Sequence, residues 1–230
     1  MHLFSSLARV AALGLVALLP SVHAQLSLSG TTRGEFTGSD SFFTWINNGP
    51  VTSTLHTGVP LLVIPNTSIE FTGDVFGGVG HGDSFDLGRV KIKNGITLFD
   101  TAASFATMDL YLNLPSNGVL NHKLTTLTFA IENTPNLGFV PDIFFIGYSA
   151  PASLKINNTL IDFTVTFSDQ DYLSESGQLI GEGKTGKVDL YATVNFTPVP
   201  EPSTYAAFAA AGLIGLIAWR RARRTAPAAS

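Results

Sequence analysis

"KVDLYATVNF", Lys187 to Phe196, decides the fold. Val188, Leu190, Ala192, Val194 and Phe196 are apolar, and the residues between them are Asp189, Tyr191, Thr193 and Asn195. A period of two puts one set of side chains on each face of an extended chain. The stretch therefore predicts a half-buried β-strand, and its Val, Thr and aromatic content agrees.

The same period recurs upstream. "ATMDLYLNL" puts Met108, Leu110, Leu112 and Leu114 on one face. "LTTLTFAIEN" does so with Leu127, Phe129 and Ile131, and "LIDFTVTF" with Ile161, Phe163, Val165 and Phe167. Weaker strand patterns lie in "RGEFTG", "SIEFTGDVF", "FDLGRVKI", "DIFFIGY" and "SLKI". Turn-rich pieces separate them: "NNGP", "PNTS", "GGVGHGD", "KNG", "PSNG" and "NTPNLG". No amphipathic helical pattern precedes Pro200. About nine or ten strands without helical crossovers predict an all-β fold, an antiparallel β-sandwich of jelly-roll type. Asn94-Gly95 predicts a tight hairpin after "VKIK".

The chain has 230 residues and no cysteine, which removes disulfides, thiol catalysis and cysteine metal sites. Between Gln25 and Val199 there are 8 Lys and Arg against 16 Asp and Glu, a formal charge of 8 − 16 = −8. Such a domain repels phosphate backbones, and nucleic acid is not an expected partner.

The two ends differ from this middle. Residues 1–24 carry Arg9, an apolar stretch from Val10 to Leu19, Pro20, and Val22 and Ala24 at the −3 and −1 positions of a cleavage site. This predicts a secretory signal peptide, with the mature chain starting at Gln25 and a β-sandwich domain over 25–196. A spacer over 197–202 holds Pro200, Glu201 and Pro202. Residues 203–219 follow without a charge, and Arg220, Arg221, Arg223 and Arg224 lie in a basic tail over 220–230. As a helix the uncharged run would be about 26 Å long, slightly short of a bilayer core of roughly 30 Å, so it predicts a transmembrane helix with snorkelling arginines. The basic tail is expected to stay cytoplasmic and to act as the membrane stop.

Pro200-Glu201-Pro202, the apolar run and the arginine cluster together resemble the PEP-CTERM sorting signal. The resemblance implies export through the inner membrane of a Gram-negative, exopolysaccharide-producing bacterium. It also implies an exosortase as processing partner and a final place at the cell surface or outside the cell. Inside the domain, "DSFDLGRVKIKNG", "IENTPN" and "PDIFFI" are similar to the choice-of-anchor K domain. The matching residues are Phe85, Leu87, Gly88, Asn94 and Gly95, then Asn133, Thr134, Pro135, Asn136 and Asp142. That family brings no established catalytic residues.

His56, His81 and His122 lie in separate stretches without metal-ligand spacing, and no G-x-S-x-G elbow occurs. "GGVGHGD" lacks the Lys-Ser/Thr ending of a phosphate loop. No catalytic residue is expected and the chain reads as a non-enzyme. Asp169, Asp171 and Glu175 in "SDQDYLSE" are the candidate calcium ligands, since calcium takes clustered loop oxygens. Trp45, beside Asn47 and Asn48, is the candidate carbohydrate contact. The expected role is structural or adhesive in a biofilm or exopolysaccharide matrix; the alternative is a carbohydrate-binding module for self-produced polysaccharide.

Overall fold

The computed structural model describes residues 26–39, 43–57, 67–95, 103–132, 141–174, 176–199 and 202–224. Residues Leu26–Thr197 form one compact unit. Its strands are β1 (Leu28–Ser39), β2 (Phe43–Asn48), β3 (Thr52–Thr57), β4 (Ser68–Gly73), β5 (Val75–Val79), β6 (Ser84–Lys93) and β7 (Ala103–Leu114). They continue with β8 (Val119–Glu132), β9 (Asp142–Tyr148), β10 (Leu154–Ile156), β11 (Thr159–Phe167), β12 (Gln178–Ile180) and β13 (Thr185–Pro198). Two antiparallel sheets result, ordered β12-β9-β8-β7-β1-β5 and β10-β11-β13-β6-β4-β3-β2.

The four strong period-two patterns become β7, β8, β11 and β13. Val188, Leu190, Ala192 and Val194 on β13 are all buried, as their alternation requires. They pack in one apolar core with Phe71 and Val90 from the same sheet and Met108, Phe129 and Phe144 from the other. Phe196 departs from the pattern and is only partly buried. Its backbone N–H donates to His81 Nδ1 at 2.8 Å, so the "GGVGHGD" loop clamps the end of the last strand.

One expectation needs correction. Asn94-Gly95 does not turn a hairpin: β6 pairs with β4 and β13, and β7 belongs to the other sheet. Asn94 is instead fully buried, and its Nδ2 donates to the Ile180 carbonyl at 2.7 Å. Its backbone N–H donates to the Lys184 carbonyl at 3.0 Å, which ties the β12–β13 turn to the end of β6. "NNGP" turns the chain between strands as its residues predict, and the two strands that it joins, β2 and β3, carry no clear apolar alternation. The sheets combine meanders of consecutive neighbours, β2-β3-β4 and β7-β8-β9, with non-consecutive neighbours, β7-β1-β5 and β11-β13-β6.

Helix α1 (Pro202–Arg224) belongs to a second unit with the other C-terminal residues. The expected helix is present, but the expected transmembrane span needs correction. Among the described residues, no helix is long and apolar enough to cross a membrane. The physical reason is dilution: Ser203 to Trp219 contains six alanines and two glycines, and Arg220 ends the run. Phe208, Leu213, Ile214, Leu216 and Ile217 are nonetheless all exposed on it. The predicted signal peptide over 1–24 lies outside the described residues.

Candidate functional site

The solvent face of the seven-stranded sheet carries an open concavity of about 420 Å³ between β4, β6 and β13. Its floor comes from one local irregularity. β6 has a bulge at Leu87, so that Leu190 opposes Gly88 while Tyr191 opposes Asp86. Gly88 pairs with Gly73 of β4, which leaves two adjacent positions without side chains. The backbones are in close approach there: a Cβ on Gly88 would lie 2.3 Å from the Thr72 carbonyl oxygen. Just beyond Gly73 the chain leaves this sheet for the other one, with Asp74 at the crossing. Thr32 secures the crossing, since its hydroxyl donates to the Leu87 carbonyl at 2.6 Å and accepts the Asp74 N–H at 2.8 Å.

Cross-strand registers build the walls. Thr72, Arg89 and Asp189 form one row across β4, β6 and β13, and Glu70, Lys91 and Lys187 form the next. The Arg89 guanidinium contacts Asp189 at 2.5 Å, and Lys91 reaches Glu70 at 3.8 Å. Burial pushes the Asp86 carboxyl above the usual carboxylate range. The Gly88 N–H, donating to it at 2.8 Å, opposes that shift, while Asp74 and Asp189 add to it by repulsion.

The raised value has a stability consequence with a definite sign. A carboxyl that is harder to ionise in the fold than in the unfolded chain contributes fully below the unfolded value, 3.8, and that contribution is lost as pH rises through the folded value. Asp86→Asn removes the ionisation and keeps an oxygen for the Gly88 N–H. The variant is expected to melt above the wild type at pH 7, with the difference shrinking as pH falls through the raised folded value and gone below about 4. Thermal melts across that range check it; a variant that melts lower at pH 7 than at pH 3.5, relative to wild type, contradicts the assignment.

The residues singled out from sequence fall elsewhere. Trp45 is in β2, in register with His56 of β3. Asp169 Oδ1 accepts the Asp171 N–H at 3.0 Å, so this pair shapes a turn before a short 3-10 segment, Asp171–Leu173. Glu175 lies outside the described residues. Among the described residues no three acidic or histidine groups converge as metal ligands. Pro200 and Glu201 lie outside the described residues, while Pro202 opens α1. Arg220 and Arg221 are exposed near its end, and Arg223 and Arg224 close it.

Sequence reading missed the concavity. Its one visible trace is Gly88 inside a strand pattern, the mark of a bulge or a close backbone approach.

Compared with known families, the chain matches the PEP-CTERM protein-sorting motif over residues 198–224. The motif implies export and processing by an exosortase, a membrane enzyme, in Gram-negative bacteria. No curated protein and no solved structure matches the chain.

Proposed function

We propose that this is an exosortase substrate whose C-terminal segment delivers a non-catalytic β domain to the cell surface or the surrounding exopolysaccharide. One observation carries the reading. The sorting-motif match begins at Pro198, the last residue of β13, so the address starts where the β fold stops. Sorting can then proceed without disturbing the two sheets. The β domain is read as choice-of-anchor K type, and the roles of the resembling residues support a scaffold. Phe85 and Leu87 are core residues, Gly88 sits at the bulge, and Asn94 and Asp142 are fully buried. A structural or adhesive role in the matrix follows from an acidic, cysteine-free exterior domain.

Mass spectrometry of the protein recovered outside the cell tests the reading. The mature chain is expected to begin at Gln25 and to lack Ser203–Ser230. Recovery of the exterior protein with its C-terminal arginines still attached contradicts it.

A further inference from the structure

We propose that the corner of the seven-stranded sheet bearing Lys93, Lys184 and Lys187 binds a carboxylate-bearing polysaccharide. The domain's cations divide cleanly. Arg33, Arg89, Lys91 and Lys123 each reach a carboxylate. Lys93, Lys155, Lys184 and Lys187 make no ion pair among the described residues, and three of these four meet at one corner. Lys93 ends β6 opposite Thr185, Lys184 immediately precedes Thr185, and Lys187 faces Lys91 across the ladder. All three lysines are exposed.

Lys91 opposite Lys187 is an unfavourable pairing, because like charges directly across a ladder repel. Lys91 reaches Glu70 at 3.8 Å, whereas Lys187 makes no ion pair among the described residues. An anion supplied from outside completes this arrangement. The corner is also rigid. Gly183 N–H donates to the Asn94 carbonyl at 3.0 Å, and Lys184 N–H to the Gly181 carbonyl at 3.0 Å. The buried Asn94 thus holds the turn that presents Lys184, which lowers the ordering cost of binding. Among the described residues Glu182, the acid of that turn, makes no ion pair with these lysines, and its Oε1 is buried without a hydrogen-bond partner.

Charge spacing selects the ligand class. A nucleic acid carries a charge about every 1.7 Å of duplex, and such density would meet Glu70 and Asp189 on the same face of a domain with formal charge −8. A sugar polymer spaces its carboxylates with neutral hydroxyls. Those hydroxyls find partners in the row that runs through Lys93: Thr185, Lys93, Ser68 and His56 are successive register partners across four strands. That row is about 14 Å long at the usual strand spacing, enough for more than one sugar unit.

The inference builds on the matrix-facing reading, yet the two fail separately: a correctly sorted protein that ignores acidic glycan sinks only the binding site. The test is affinity measurement on the full chain in a neutral detergent, with polygalacturonate, neutral dextran and duplex DNA as probes. Polygalacturonate is expected to bind, dextran is not, and about 0.5 M salt should abolish binding. Lys93→Gln, Lys184→Gln and Lys187→Gln combined should weaken it roughly tenfold, whereas Lys155→Gln, on β10, should leave it unchanged. Should the triple variant melt early, Lys187→Gln alone decides, with a loss of roughly threefold expected. No binding of polygalacturonate, equal binding by the lysine variants, or tighter binding of DNA through the same lysines overturns the proposal.

Discussion

Replacing Pro200, Glu201 and Pro202 by alanine is expected to leave the protein uncut and bound to the inner membrane. Two physical effects act together. The substitution removes the motif at the start of the 198–224 match. It also replaces two prolines, each about 3 kcal/mol poorer than alanine inside a helix, so α1 can extend backwards through the segment an enzyme must bind extended. The uncut chain keeps Phe208, Leu213, Ile214, Leu216 and Ile217 exposed on α1. Burying five such side chains in lipid is worth about 10 kcal/mol in total, at roughly 2 kcal/mol each, which retains the protein at the membrane even without a full crossing. The compact unit ends at Thr197 and β13 at Pro198, so the sheets should be untouched. Cell fractionation with antibody against the β domain reads the outcome, in wild type, in the alanine variant and in a strain lacking the exosortase. Both altered cells should hold the full-length form in the inner-membrane fraction. If they export as much shortened protein as wild type, the address lies elsewhere in the chain.

That prediction draws on the part of the molecule most legible from sequence. A sorting signal is a local string, and so is a strand whose buried face is uniformly apolar, such as β13 or β11. The β2–β3 hairpin was illegible for a specific reason. Ser53 occupies a fully buried, core-facing position in β3, which breaks the apolar alternation. Its hydroxyl is satisfied by the Gly34 carbonyl of β1, 2.6 Å away in the other sheet. Asn48 likewise offers its side-chain amide to β1, accepting the Phe36 N–H at 2.9 Å and donating to the Phe36 carbonyl at 3.0 Å. Such polar substitutes for packing depend on a partner strand that local pattern does not reveal. The Asn94-Gly95 misreading is of the same kind: the dipeptide favours a hairpin, but the side chain is worth more as a buried staple between β6 and the β12–β13 turn. The concavity required still more, since its walls depend on registers among β4, β6 and β13, strands separated by up to about a hundred residues in the chain.

Gly88→Ala is expected to destabilise the β domain strongly, and a second glycine supplies the control. Gly88 has φ +123°, outside the conformations that L-residues adopt readily. Its missing Cβ would lie 2.3 Å from the Thr72 carbonyl oxygen, 2.9 Å from Phe71 Cζ and 3.0 Å from Gly73 Cα. None of these can yield cheaply. Thr72 and Gly73 are backbone of the adjacent strand, and Phe71 is a fully buried core ring. Relief would require β4 to move off β6, which also strains the Thr32 bonds joining the two sheets. Gly118 has φ +72° in a turn, with nothing within 4 Å of its missing Cβ. Gly118→Ala should therefore cost only the left-handed backbone penalty, about 1 kcal/mol. Gly88→Ala carries a comparable penalty plus the overlap, and about 3 kcal/mol or more is expected, a large share of a typical domain stability of 5–15 kcal/mol. Denaturant unfolding of the two variants beside wild type measures the gap. Equal losses would mean that the backbone at Gly88 relaxes freely, and the floor of the concavity would then not be a fixed feature of the sheet.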